Sequence, residues 1–440
     1  MKTRLSAALL MACIGGVAHS SDPIVLDGRF DDWGGIPFEH VDAPDDAAGA
    51  FDVCRVSAVA RGTEVYLRFN TGRVITIQSG PKEEGTLTVE FETDAGRRLT
   101  VDLRGRSLWL DGDPEHKIGH AEVRLQTAPT HSSEQFELRV DLAALGAVSG
   151  DGVTVRFGGS DEVEAPIRVV LNDDVIARGH GSMERAPGTT VRVASQNVWH
   201  NGLTKPERRE AIGRLLRAVD ADVYCIQEEW RTPAEEVGAA FDAATGSAPG
   251  TWHAANTGGA AVVSRHPIEF PESGLGRGTI GIVTMETGER IAVTSVHFKC
   301  CGYDGSMEDR TRVEEVRGVM DALRGLSQRY DGAVVAGDWN LVGSALPVTV
   351  ATAGGGIGLE RVMPMHLDGV ECYTWRDENQ GFTPGMLDVV VRSRDMRVLQ
   401  SFVLDTADLT EAQLREKGLE RGDSSASDHL MVVTDFAIGD

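Results

Sequence analysis

The second half of this chain most constrains its fold, because short apolar segments recur there and several of them stop at a polar residue. Val191 to Val198 reads as a strand with Asn197 near its end, and Asp222 to Gln227 as an apolar strand that runs into Glu228. Between them Pro206 to Val219 has helical period, with Ile212, Leu215, Leu216 and Val219 on one face. Apolar strands follow at 259 to 264, 291 to 297, 333 to 337, 387 to 392 and 429 to 435. Strands mixed with amphipathic helices predict an α/β fold with sheets packed inside helices. A rigid sheet can hold side chains from distant positions at one rim. The polar residues fall in the runs Gln196-Asn197-Val198, Ile226-Gln227-Glu228, Ser295-Val296-His297, Gly337-Asp338-Trp339-Asn340, Leu387-Asp388-Val389 and Ser427-Asp428-His429. Alone, the last of these is an ordinary turn or helix cap; it gains weight as the end of an ordered set.

The first part has a different pattern. Val53 to Ala60, Glu64 to Asn70, Thr86 to Glu92, Gln135 to Leu142 and Val153 to Gly158 are short alternating segments separated by Gly, Asp and Pro, without sustained helical period. They predict an antiparallel all-β sandwich. At 440 residues the chain is too long for one core. Its expected parts are a leader at 1–20, the sandwich at 21–178, a Gly-rich and charged linker at 179–190, and the α/β domain at 191–440. The opening Leu26 to Trp33 and the late Phe136 to Gly146 resemble the ends of family-9-type carbohydrate-binding modules. That resemblance implies carbohydrate as a partner, with Trp33 or Trp109 as the platform; the competing reading puts Trp33 in the sandwich's own core. Asp42, Asp45, Asp46 and Asp52 could bind calcium, and a solvated acidic loop is the simpler reading.

The start, with basic Lys2 and Arg4, a short apolar stretch and small residues at Ala18 and Ser20, reads as a secretory signal, so the expected location is periplasmic or extracellular. A lipid anchor at Cys13 is disfavoured by Met11, and no later segment looks transmembrane. Losing Lys2 and Arg4 would move the formal charge from −24 to −26. A field of that sign argues against tight, non-specific binding to nucleic acid, though not against a nuclease that touches it briefly with a cation bound. Cleavage would leave Cys54, Cys225, Cys300, Cys301 and Cys372, an odd set that cannot all pair within one chain.

With those runs in hand, residues 190 to 440 resemble the endonuclease/exonuclease/phosphatase superfamily, the DNase I-like group of nucleases, sphingomyelinases and inositol-phosphate phosphatases. Gly259 to Arg265 is similar to the family's inner strand, and Tyr373-Thr374-Trp375 to its threonine-tryptophan turn. The resemblance implies an α+β four-layer sandwich and a phosphate-ester substrate. Glu228 would then offer a hard oxygen to Mg²⁺ or Mn²⁺, with Asn197 and Asp428 adding oxygens directly or through water. Some relatives carry a further acidic residue where this chain has Trp199, so Glu228 is the safer single ligand. His429 and Asp388 would pair, the carboxylate fixing the ring's tautomer and favouring its cation, for acid-base work or to hold the attacked phosphate. Asp338 would take a proton from water, Asn340 would orient that water or steady the phosphorus, and His297 would donate to a non-bridging oxygen. Arg312 opens a helix like the family's Arg-x-x-Gln helix, with Glu315 in the glutamine position, and could anchor structure or touch substrate.

The substrate stays open at this level: nucleic acid, phospholipid or a small molecule such as an inositol phosphate. A nuclease should line a groove with basic and aromatic residues, and Lys205, Arg208, Arg209, Arg214 and Arg217 lie on or near one helix. A sphingomyelinase-like enzyme should expose an apolar hairpin, and no convincing aromatic candidate is present. A non-catalytic sugar-binding or adhesion protein would not need the complete polar set.

Overall fold

The computed structural model of the chain describes residues 23–41, 51–81, 84–161, 163, 165–353 and 357–439. The expected leader, Cys13, and the acidic positions Asp42, Asp45 and Asp46 lie outside the described residues.

The first part is built from two antiparallel sheets. One orders the strands 40–41, 55–61, 64–75, 133–141 and 126–128; the other orders 167–170, 152–159, 87–93, 98–102, 107–110 and 117–118. Strict alternation along Leu87–Thr93 turns Leu87, Val89 and Phe91 inward, where they join Phe69, Phe136 and Phe157 in one core. Strands at 98–102 and 107–110 add to those expected from sequence; in the first, Arg98, Thr100 and Asp102 alternate with only two apolar residues. Trp33 is buried, 1% exposed, and its indole N–H donates to Glu137 at 2.8 Å. It fills its own domain and offers no open ring to a sugar. Burial pushes the Glu137 carboxyl up to about 9.

From residue 191 two larger sheets stack. A seven-stranded sheet orders 253–257, 260–264, 223–227, 191–197, 431–438, 396–404 and 365–366; a six-stranded one orders 268–269, 278–284, 290–297, 332–338, 388–393 and 359–362. Val193, Val223, Cys225, Val262 and Val432 of the first sheet meet Val283, Val293, Val334 and Val390 of the second in the central core. The outer face of the first sheet carries helices Pro206–Val219 and Ala234–Thr245 over Leu216, Tyr224 and Phe241. The helix Met307–Gly325 covers the second over Val316, Met320 and Leu323. Covered on both faces, strands such as Val223–Gln227 are buried at every position, which is why they read as apolar runs rather than alternation.

Residues 179–190 form no helix or strand, and they are strapped to the domain that follows: the Gly179 and Gly181 N–H groups donate to Asp368 O and Leu367 O at 2.6 and 2.7 Å, and Met183 is buried. One expectation needs correction: the helix carrying Arg312 begins earlier, at Met307, where the Ser306 hydroxyl accepts from the Asp309 N–H and acidic Glu308 and Asp309 suit the helix N-terminus.

Candidate active site

Strand register assembles half of the site. Strands 290–297 and 332–338 run parallel with His297 opposite Asp338, and 332–338 and 388–393 run antiparallel with Asp338 opposite Asp388. Three polar side chains therefore sit side by side at one sheet end. From the other sheet, Asn197 ends its strand opposite Gln227, which places Glu228 next to it. Glu228 (φ 67°) and Asn340 (φ 47°) both sit in the left-handed region, where non-glycine residues are uncommon. His429 lies just before the strand 431–438, bridged to Trp375.

The side chains converge on Asp338. Its Oδ2 accepts from the Asn197 and Asn340 amides, each at 3.1 Å, and lies 3.4 Å from His297 Nε2 and 3.6 Å from His429 Nε2. Its Oδ1 accepts from the Asn340 N–H at 2.8 Å. His429 Nδ1 is 2.7 Å from Asp388 Oδ2. Burial alone would lower the His429 pKa, but Asp388 and Asp338 outweigh it and push it up to about 10, so the ring is a buried cation. Burial raises Asp338, against the pull of His429 and His297. Burial lowers His297, against the pull of Asp338. His297 Nδ1 has no hydrogen-bond partner among the described residues.

Glu228 is the hard anion of the group. Its carboxylate accepts from the Asn197 amide at 3.1 Å and the His200 N–H at 2.8 Å. Burial opposes ionisation there, and these bonds together with nearby His297 more than offset it, so the carboxyl stays below its usual range. Asp428 Oδ2 accepts from the Trp375 indole N–H at 3.0 Å, while Oδ1 makes a long 3.4 Å contact with Ser427. Ser427 Oγ donates to Asn197 O at 2.7 Å and so ties Asp428 to the Asn197 side. Ligand atoms of Asp338, Asp388 and His429 also lie within 4.8 Å of one another, close enough to share a cation. Both His429 ring nitrogens already face carboxylates, however, Nδ1 toward Asp388 and Nε2 toward Asp338. Glu228, with Asn197 and Asp428 beside it, fits a hard divalent ion better.

Trp230 and Arg277 escaped the sequence reading, and Trp199 entered it only as a departure from the family's acidic residue. Trp199 and Trp230 follow Asn197 and Glu228 closely in the chain and are exposed by 40% and 38%. Arg208 stacks over Trp199 at 4.4 Å, and Arg277 lies over Trp230 at 5.6 Å. Trp230 also packs on the His297 ring, with centroids 4.9 Å apart. An aromatic residue just past a polar strand end was the available signal. Of the other basic residues on the helix 206–219, Arg214 is bound to Asp423 and Arg217 to Ala244 O. Arg312 is wholly buried and donates to Lys299 O at 2.8 Å and Cys301 O at 2.7 Å, so it anchors that loop. Glu315 accepts from the Lys299 N–H at 2.7 Å. In the same loop Cys300 and Cys301 remain thiols, with Sγ atoms 3.0 Å apart, and Cys225 and Cys372 are buried thiols elsewhere.

A family model described as Endonuclease/Exonuclease/phosphatase family matches residues 194–429. No curated protein sequence matches the chain. Among solved structures, an endonuclease/exonuclease/phosphatase family protein from Bacteroides thetaiotaomicron is 16% identical and aligns over 57% of this chain and 98% of its own, with a TM-score of 0.40. The human Nocturnin catalytic domain with bound sulfate is 15% identical over 58% of this chain and 96% of its own, TM-score 0.40. A Bacteroides thetaiotaomicron mannosyl-6-phosphatase is 16% identical over 56% and 100%, TM-score 0.40.

Proposed function

Since the chain belongs to the endonuclease/exonuclease/phosphatase family of phosphoric ester hydrolases, we propose that it is a secreted, Mg²⁺- or Mn²⁺-dependent phosphodiesterase acting on nucleic acid. The observation that carries the reaction type is the buried His429 cation, 2.7 Å from Asp388, facing Asp338 across from ionised Glu228. Glu228, Asn197 and Asp428 would hold a divalent cation, which would supply Lewis-acid stabilisation of the charge that builds on phosphate.

The protein's own groups divide the remaining work. Asp338, raised by burial, takes a proton from the attacking water as the water oxygen bonds to phosphorus and the P–O ester bond breaks, the leaving oxygen taking its proton from solvent, and Asn340 holds the Asp338 carboxylate in place. With a pKa of about 10, His429 keeps its proton near neutral pH; it serves as a fixed positive charge for the phosphate rather than as a shuttle. His297 donates one N–H to a non-bridging oxygen. The pairs Trp199 with Arg208 and Trp230 with Arg277 support nucleic acid as substrate, since exposed rings beside cations suit bases and their phosphates. These local cations answer the repulsion expected from the acidic net charge.

The test is hydrolysis of bis-p-nitrophenyl phosphate, plasmid DNA, RNA, sphingomyelin and inositol phosphates with Mg²⁺ or Mn²⁺, with His429→Ala and Glu228→Ala alongside. Turnover of none of them, or full activity in both variants, overturns the assignment. Preference for sphingomyelin or inositol phosphates would keep the chemistry and replace the substrate.

A further inference from the structure

The β-sandwich is pressed against the catalytic domain, and most of its grip falls on one segment, residues 371 to 386. Gln78 and Thr383 exchange two hydrogen bonds of 2.8 Å, and the Thr127 and Thr383 hydroxyls meet at 2.7 Å. His120 Nε2 reaches Asp377 O at 3.1 Å, and the Thr130 hydroxyl donates to Met386 O at 3.3 Å. Gly381 lies so close to Arg106 that a Cβ there would stand 2.3 Å from its carbonyl oxygen. The Arg106 guanidinium covers the Phe382 ring at 4.3 Å. At the segment's start, Glu371 Oε1 accepts from Arg124, Arg139 and Arg178 at 3.1, 2.7 and 3.2 Å.

The other side of the same segment faces the site. Phe382 meets Trp375 edge-on at 6.5 Å, and Trp375 donates to Asp428. The Thr374 hydroxyl accepts from the Leu387 and Asp388 N–H groups at 3.1 and 2.9 Å, and the Arg376 N–H donates to Asp428 O at 2.9 Å. A contact line therefore runs from Arg106 through Phe382 and Trp375 to Asp428, and a shorter one from Thr374 to Asp388.

We infer that the sandwich is a positioning part of the active site: through residues 371 to 386 it fixes Asp428, and with it the cation site, while Arg106 and Phe382 are positioning residues that touch no substrate. This rests on Asp428 serving the cation as proposed above. A domain present only to bind a separate ligand would have no need to grip the segment that carries Thr374 and Trp375.

The test uses the full chain with Arg106→Ala, Phe382→Ala and Phe382→Tyr, and with Val170→Ala on the exposed edge of the sandwich as control. Mn²⁺ binding by calorimetry should weaken about tenfold in the two alanine variants, the size seen when groups that orient metal ligands are lost. Phe382→Tyr, which keeps the ring, should restore it, and Val170→Ala should match the unaltered protein. Hydrogen exchange in residues 371 to 386, measured without metal, should quicken in the alanine variants alone. Unchanged Mn²⁺ affinity and unchanged exchange in folded Arg106→Ala and Phe382→Ala overturn the coupling. Absence of hydrolysis by the unaltered protein overturns the phosphodiesterase reading instead, and absence of Mn²⁺ uptake by it overturns both.

Discussion

The Asn197 amide reaches the Asp338 carboxylate at 3.1 Å across the gap between the two catalytic sheets. The same amide nitrogen donates to Glu228 at 3.1 Å, so one side chain joins the proposed cation site to the proposed base. Sequence places these residues 141 positions apart; stacked sheets that end at a common rim bring them together.

Asn197→Asp would put a negative charge between two carboxylates, with the added repulsion raising Asp338 further. Activity should fall about a hundredfold, in the range seen when an oriented catalytic donor is lost. The acidic limb of the kcat/KM profile should move to higher pH. A pH–rate profile that overlays that of the unaltered protein would count against Asp338 as the base.

Glu228→Gln keeps the side chain's size and removes its charge. Since the loss of groups that merely orient metal ligands already weakens binding about 10- to 100-fold, loss of the ligand charge should weaken Mn²⁺ binding by about a hundredfold or more. The melting temperature without metal should change little. Calorimetry showing undiminished Mn²⁺ affinity would move the cation elsewhere.

His429 gives a stability prediction whose sign is fixed by its environment. Its pKa rises from an ordinary 6.5 to about 10 on folding, so its contribution is fully present below 6.5 and is lost as pH rises through about 10. The urea midpoint of the unaltered protein should therefore fall between pH 7 and 10 more steeply than that of His429→Gln. Parallel curves would mean that the ring is not held as a cation.

Trp199 is an exposed ring beside a cation, in a left-handed backbone conformation at φ 49°. Base stacking of this kind is worth about 1–3 kcal/mol. Trp199→Ala should raise KM about tenfold for a single-stranded oligonucleotide while leaving kcat nearly intact, and a substrate abasic at the stacked position should show no such penalty. Equal effects on both substrates would remove Trp199 from recognition.

How much could be read beforehand depended on how local the signal was. The helix Pro206–Val219 has the bounds its apolar period indicates, and strands such as Val223–Gln227 announce themselves because both faces are covered. The polar residues at their ends were legible as a set for the same reason. What joins them was not: Asp338 as the hub, or Trp230 against His297, depends on register between strands far apart in sequence. The packing of residues 179–190 was hidden likewise, since its partners Leu367 and Asp368 lie far along the chain while the segment's own Gly-rich composition suggests freedom.

The domain junction offers the last prediction. Glu371 is buried under Arg124, Arg139 and Arg178; burial raises its carboxyl, but Arg139 foremost reverses this and holds it down at about 2, below an ordinary 4.5. A lowered carboxyl stabilises above 4.5 and loses that contribution as pH falls toward 2. Glu371→Gln leaves Arg139, itself buried, without its closest counter-charge, and breaking a buried pair from one side costs about 3–5 kcal/mol. Urea unfolding at pH 7 should show that loss, and the gap between variant and unaltered protein should narrow as pH drops below 4.5, where the native carboxylate begins to lose its advantage. A variant as stable as the unaltered chain at pH 7 would show that the junction does not depend on this pair.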